Sequence, residues 1–180
     1  MIRSALSLSV LSASALALVL ASGRAEAQPK DPFTSPEGKY AVKFPGKPKL
    51  TAPVAKSAIG DLTVHTALYA AADGSAYTAS YTDFPRDAVK AENLKTFFDG
   101  VRDGIKGTKG EVVSEKEIVF GPDKLPGREL VVEKEKGKQR IKVRVVLRDN
   151  RLYQWAVLGT PEFVAGGDAT AFLDSLELTK

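Results

Sequence analysis

The segment 125–159 constrains the fold of this chain more than any other. Its apolar residues alternate with polar ones over two stretches and become nearly continuous in a third, and turn-forming pairs at 136–137 and 149–150 separate the stretches. Lys-Gly and Asp-Asn pairs tolerate the backbone conformations of tight hairpin turns. The segment therefore predicts an antiparallel meander with strands at 128–135, 138–148 and 151–159.

The last of these strands is apolar on both of its faces. Tyr153 and Trp155 lie on one face, whereas Leu152 and Ala156 lie on the other. A strand of this kind is normally covered on both faces. We therefore expect other elements of the fold to pack against each side of the sheet.

Two predicted helices supply that cover. Apolar residues recur at helical spacing from Leu94 to Ile105 and form one face of an amphipathic helix, and glycines follow this stripe. A second, shorter helix is predicted near the end of the chain, with Asp168 as its N-cap and with Phe172 and Leu173 on its buried side. An extended segment follows the second helix.

Further strands are predicted around the first helix. Alternation of apolar and polar residues marks them, and a hairpin turn at 73–74 joins two of them. They lie at 40–44, 50–57, 62–71, 76–84 and 111–120, and Pro53 confines the second of them to a sheet edge. The predicted fold class is therefore α+β: an antiparallel β-sheet of about six or more strands with helices on both faces, an α/β/α sandwich.

The first 27 residues have the pattern of a secretory signal peptide. Arg3 precedes an uncharged apolar run, and a small-x-small site ends at Ala27, so that Gln28 begins the mature chain. The alternative is an uncleaved membrane anchor, but the run is at the short end for a spanning helix of about 20 residues. We predict an exported protein of the periplasm or extracellular space, with one domain at 28–180 and no transmembrane segment after removal of the signal.

Composition argues against several kinds of chemistry. The chain has no cysteine and one histidine, so neither thiolate catalysis nor a zinc site is predicted. His65 lies on a predicted strand, where a structural role is more typical than a catalytic one. The formal net charge is only +4, and acidic residues interrupt the basic stretch, which argues against a nucleic-acid partner. We predict no catalytic residue, no metal and no cofactor.

A row of cations on the strand 138–148 is the candidate binding site. Lys142, Arg144 and Arg148 share one face of this strand. They form either a solvated face, whose partners are acids on the preceding strand (Glu129, Glu133 or Glu135), or a site for an acidic or anionic partner. Tyr153 and Trp155 complete the candidate site, although aromatic residues at such positions more often belong to the core. Exposed charges of this kind contribute little to stability.

Several short motifs, in their order along the chain, resemble the PsbP-like family. They are FTSPEGKYAVKFPGKP, YTASYTDFP before the amphipathic helix, LPGREL, RLYQWAVLG and AFLDSLEL. The family includes an extrinsic subunit of photosystem II and a Ran-binding nuclear import factor. The resemblance implies an antiparallel sheet between helices. It also implies binding of partners or support of assembly, with no catalytic constellation to transfer.

Two functions follow as alternatives. The first is an exported non-catalytic binding or assembly module of the bacterial cell envelope, whose partner is a protein or an anionic envelope component. The second is a small-ligand carrier or hydrolase with a pocket between sheet and helix, in which His65 or a carboxylate would act. The sequence makes no prediction of the oligomeric state.

Overall fold

A computed structural model describes residues 31–57 and 60–180. The predicted signal peptide, with Ala27 and Gln28 at its cleavage site, lies outside the described residues. The strands in chain order are β1 (Phe33–Ser35), β2 (Tyr40–Val42), β3 (Lys49–Thr51), β4 (Val54–Ser57), β5 (Gly60–Thr63), β6 (His65–Ala70), β7 (Ala76–Asp83), β8 (Glu111–Phe120), β9 (Leu125–Lys134), β10 (Gln139–Arg148), β11 (Arg151–Gly159) and β12 (Glu177–Leu178). The α-helices are α1 (Leu94–Lys106), α2 (Pro161–Ala165) and α3 (Gly167–Asp174).

Seven of these strands form one antiparallel sheet in the order β3-β6-β7-β11-β10-β9-β8. The predicted antiparallel sheet of about six or more strands is confirmed. The meander is also confirmed, and it is longer than predicted, because β8 pairs with β9 in the same antiparallel manner. β11 lies at the centre of the sheet, between β7 and β10.

The beginning of β9 differs from the prediction. The strand starts at Leu125 rather than Arg128, and it includes Pro126 and Gly127, which the sequence assigned to a turn. Pro126 lies near the start of the strand, where a missing N–H is tolerated. A Cβ at Gly127 would overlap the carbonyl oxygen of Val145 and lie 2.9 Å from Cγ2 of Val146. Glycine therefore serves close packing between β9 and β10 here, not a turn.

The predicted strand 50–57 is divided in two. β3 forms an edge of the main sheet, as Pro53 suggested, whereas β4 pairs with β5 in a separate two-stranded sheet. The predicted strand 62–71 is divided in the same way into β5 and β6. Pro53 lies between β3 and β4, and Val64 lies between β5 and β6. The Val64 amide donates a hydrogen bond to the Pro53 carbonyl oxygen at 2.9 Å, so the two interruptions are adjacent in the fold.

The amphipathic helix is confirmed as α1. Phe98 is buried, and the other apolar residues of the stripe pack around it. Gly107 ends the helix with a positive φ of 61°, a value that favours glycine, and its amide donates to the Asp103 carbonyl oxygen at 2.9 Å.

The end of the chain contains two short helices instead of the one predicted. Thr160 caps α2, because its side-chain oxygen accepts a hydrogen bond from the Phe163 amide (3.2 Å). Asp168 is not the N-cap of α3. Gly166 holds that position, and Asp168 lies in the first turn. Phe172 and Leu173 are buried as predicted. β12 follows in the extended segment and joins β1 and β2 in a three-stranded sheet.

The described residues form two clusters of buried apolar side chains, and alternate residues of β11 enter each of them. Leu152 and Ala156 lie in the cluster that contains Phe98 of α1. Trp155 lies in the cluster that contains Phe172 of α3, together with side chains from β1 and β2. β11 is therefore buried on both faces. A layer of helices on each face is not established, because a small sheet supplies part of the second cluster.

Within the part of the chain that the structure describes, no helix is both long and apolar enough to cross a bilayer.

Two glycine substitutions test the packing of the fold. Gly127→Ala is expected to lower the free energy of unfolding by about 1–3 kcal/mol, because the added methyl group overpacks the contact with β10. Gly104→Ala is the matched control. A Cβ at Gly104 in α1 meets no atom within 4 Å, so this substitution should raise stability by about 0.5–1 kcal/mol. Urea denaturation measures both, and a neutral Gly127→Ala would contradict the described close approach.

Candidate functional site

The two aromatic residues of the candidate site belong to the core. Trp155 is 0% exposed and Tyr153 is 1% exposed. The Trp155 indole Nε1 donates a hydrogen bond to the Leu173 carbonyl oxygen at 2.8 Å, so its polar atom is satisfied inside the protein. Their predicted role in ligand binding would therefore need a rearrangement of the core.

Arg144 is half-buried and lies against two acids. Its Nε donates to Glu129 Oε2 at 2.7 Å, and its NH1 lies 2.8 Å from Asp174 Oδ1. The cross-strand pairing of Arg144 with Glu129 agrees with the β9–β10 register, in which these two residues are opposite each other. Glu129 is therefore the cross-strand partner that the first alternative named, and the Arg144 side chain is half-buried.

Glu129 is the centre of this group. It is 6% exposed, and Lys116 and Lys142 lie 3.0 and 3.6 Å from its Oε1 atom. Burial by itself raises the pKa of Glu129, but the hydrogen bonds from Arg144 and Lys116 and the charge of Lys142 outweigh burial and lower it below its ordinary value. The carboxylate therefore stays ionised, and two of the three predicted binding cations are held by it.

The same cluster of charges caps the end of α3. The Leu173 carbonyl oxygen lies in the last turn of the helix, where no later amide of the helix is available to donate to it. It accepts hydrogen bonds from Trp155 and from NH1 of Arg144 (2.9 Å). A cation at the negative C-terminal end of a helix is stabilising. Arg144 thus joins β9, β10 and α3.

A buried cation, Arg128, was missed by the sequence analysis. It is 5% exposed, and its NH1 lies 2.7 Å from Asp99 Oδ1 and 2.6 Å from Glu115 Oε1. Its guanidinium also lies over the Phe98 ring, 5.4 Å from the centroid. The available signal was the alternation of Arg128 with Leu130, because a cation in an apolar row needs an acidic partner.

Asp99 of α1 is the carboxylate that pairs with both Lys95 and Arg128. Hydrogen bonds from Lys95 and Arg128 lower its pKa to about 2. Because the pKa is lower in the folded state, this carboxylate stabilises the fold above its ordinary pKa of 3.8, and the contribution is lost as the pH falls through about 2.

Arg148 is the predicted cation that borders an open groove. Its NH1 donates to the Thr179 carbonyl oxygen at 3.0 Å, and its NH2 lies 3.3 Å from the exposed carboxylate of Asp123. The groove lies between the β8–β9 turn and the segment around β12, and its volume is about 590 Å³. Its apolar walls include Phe120, Pro122, Leu125, Leu176 and Leu178.

His65 packs against an aromatic ring, as expected of a structural histidine. Its imidazole is stacked on Tyr81 with ring centroids 4.5 Å apart and planes 2° apart. It also lines a cavity of about 260 Å³, but this cavity lies between the main sheet and the β1–β2 hairpin. The hollow of about 310 Å³ between α1 and β8–β9 does not include His65. The predicted pocket between sheet and helix is therefore not formed around this residue.

Among residues 31–57 and 60–180, no cluster of three or more His, Asp or Glu side chains could hold a metal ion.

Comparison with known proteins gives a similarity of fold only. The chain matches no protein-family model. It also matches no curated protein. Among solved structures, it is similar to the solution structure of cyanobacterial PsbP from Synechocystis sp. PCC 6803, with a TM-score of 0.44 and 9% identity over 82% of this chain and 91% of that one. A TM-score at this level supports no conclusion about function, and the fold class stated above depends on strand order and register.

Two arginine substitutions test the difference between Arg144 and Arg148. Arg144→Met should lower the free energy of unfolding by about 2–4 kcal/mol, because buried Glu129 loses its closest partner. Arg148→Met should cost less than about 1 kcal/mol, since its carboxylate partner is exposed. Thermal or urea denaturation measures both variants. Equal losses from the two substitutions would show that Glu129 does not depend on Arg144.

Proposed function

We propose that this protein is an exported, non-catalytic binding module of the bacterial cell envelope, and that it binds a partner protein in the groove beside Arg148. The observation that carries the proposal is the groove itself. Its volume of about 590 Å³ is within the range of about 300–1,000 Å³ typical of ligand sites. Arg148 is the residue that this groove shares with the cationic row predicted from the sequence.

The rim of the groove favours a protein segment over an anionic surface. Arg148 and Lys180 contribute positive charge, whereas Asp123 and Glu177 contribute negative charge. An anionic lipid or polysaccharide would meet repulsion from the two acids. A protein segment with apolar side chains and charges of both signs complements such a rim.

The position of β12 supports an extended segment as the occupant. β12 is at the edge of the three-stranded sheet β1-β2-β12, and it pairs with β2 on one side. The Leu178 side chain packs at the margin of the core and lines the groove. An edge strand accepts a further strand through main-chain hydrogen bonds, and neighbouring pockets hold alternate side chains. The groove beside β12 suits this mode of binding.

The architecture and cellular location are part of the same proposal. The two apolar clusters support a three-layer α/β/α domain of PsbP-like type, with α1 over one face of the sheet and α2 and α3 over part of the other. The apolar N-terminal run and the small-x-small site at Ala27 support export with cleavage before Gln28. An exported domain of this kind meets envelope proteins as its partners.

Site-specific photo-cross-linking in cells tests the groove. A photoreactive amino acid at Pro122, which is exposed and lines the groove, is expected to give one discrete protein adduct. The adduct should be recovered from the periplasm with Gln28 as the first residue of this chain. Leu178→Ala should lower its yield at least about tenfold, because it removes an apolar anchor.

The matched control places the same photoreactive residue at Val113, which is 47% exposed and belongs to β8. No corresponding adduct is expected there. Adducts of equal yield at both positions, or no effect of Leu178→Ala in a variant with unchanged thermal stability, would exclude the groove. An adduct with lipid or polysaccharide would favour the anionic component and contradict the protein partner.

A further inference from the structure

The cavity beside His65 has no role in the proposed function, and it is separate from the groove beside Arg148. It lies between the β1–β2 hairpin and strands β3, β6 and β7. Ala67 of β6 lines the cavity with a small side chain. At about 260 Å³, the cavity suits one functional group or side chain better than a whole cofactor.

Two residues that line this cavity, His65 and Tyr81, form a continuous stack with Arg151, which lies outside the lining. The Arg151 guanidinium lies over the Tyr81 ring, 4.5 Å from its centroid, and the His65 imidazole is stacked on the same ring. β6 and β11 flank β7 on opposite sides, so the two groups cover opposite faces of the ring. Tyr81 is enclosed, whereas only one face of His65 is covered by this stack.

The charge of Arg151 is already neutralised. Its Nε and NH2 atoms bind the two carboxylate oxygens of Asp83 at 2.6 and 2.7 Å. Its NH1 donates to the Glu37 carbonyl oxygen at 2.7 Å and thereby fixes the turn before β2. Arg151 therefore positions Glu37 at the rim without occupying the cavity.

Glu37 gives the cavity its charge. Of the described residues that line it, Glu37 is the single Asp, Glu, Lys or Arg. Its carboxylate is exposed and makes no ion pair within residues 31–57 and 60–180. Burial raises the pKa of Tyr81, and the negative charge of Glu37 raises it further, which is consistent with a carboxylate close to the phenol. An anionic ligand would be repelled here, whereas a cation would be attracted.

We propose that this cavity binds a guanidinium group, stacked on the face of His65 that is turned away from Tyr81 and paired with the Glu37 carboxylate. A guanidinium is planar, stacks on aromatic faces and matches the geometry of a carboxylate. Arg151 already makes both kinds of contact within the molecule, with Tyr81 and Asp83. The group is supplied either by an arginine side chain of another protein or by a free guanidinium compound.

Amide NMR titration of the mature chain tests this site. N-acetyl-L-arginine amide should cause saturable shifts at 35–37 and 65–67, with a dissociation constant on the order of 1 mM. The lysine analogue keeps the positive charge but lacks a planar group. The citrulline analogue keeps a planar group but has no charge. Each should bind at least about tenfold more weakly, because stacking and ion pairing are both required. Titration with methylguanidinium distinguishes the two sources of the guanidinium group. Binding as tight as that of the arginine amide supports a free guanidinium compound, and weaker binding supports an arginine side chain of another protein.

Substitutions locate the binding on the two proposed contacts. Glu37→Gln should weaken binding at least about tenfold, whereas Glu92→Gln, at an exposed carboxylate outside the cavity, should leave it unchanged. His65→Leu retains apolar bulk without a planar ring and should weaken binding to a similar extent. The proposal is overturned by equal binding of the arginine and lysine analogues, by unchanged binding in Glu37→Gln, or by the absence of saturable shifts. Glu37 is exposed, so its variant decides the question even where His65→Leu does not fold.

Discussion

Two neighbouring residues of β9 carry opposite charges into the interior, and the arrangement of the helices depends on them. Arg128 and Glu129 are almost fully buried, and because side chains alternate along a strand, they point to opposite faces of the sheet. Arg128 is paired with Asp99 of α1. Glu129 is paired with Arg144, which in turn binds the end of α3. These two consecutive residues therefore join α1 and α3 to the sheet.

The physical reason is the cost of an unpaired buried charge. A buried ion whose partner is removed typically costs about 3–5 kcal/mol, whereas a well-packed apolar pair costs little. Alternative positions of α1 that separate Asp99 from Arg128 are therefore disfavoured, although they would bury the same apolar stripe. Apolar burial is non-directional, whereas each buried charge requires one particular partner, so the two ion pairs add a specific constraint on the positions of α1 and α3.

This arrangement also determines which surfaces are available for binding. Arg144 and Lys142 are held by Glu129, so the middle of the sheet carries little unpaired charge. The open features lie elsewhere. The groove beside Arg148 lies at the end of the sheet near β12, and the cavity beside His65 lies next to the β1–β2 hairpin. Both open features lie at the margins because the helices and the small three-stranded sheet cover the centre of the main sheet.

Elements with a strong period were predictable, and contacts between distant segments were not. α1 and β11 followed from the spacing of apolar residues, and the central burial of Trp155 followed from the two apolar faces of its strand. The three-stranded sheet contains strands of two or three residues, which are too short to show a period. The contact of Arg144 with Asp174 was missed because these residues lie 30 positions apart in the chain and no local pattern joins them, whereas Glu129 was among the acids named as cross-strand partners.

The most direct test exchanges the two charges in place. The variant Arg128→Glu/Glu129→Arg keeps composition and net charge constant, but it puts an acid against Asp99 and a cation against Arg144. Its free energy of unfolding in urea should fall by at least about 4 kcal/mol, or the variant should not fold, because like charges meet on both faces. A variant whose stability stays within about 1 kcal/mol of the original protein would contradict the account.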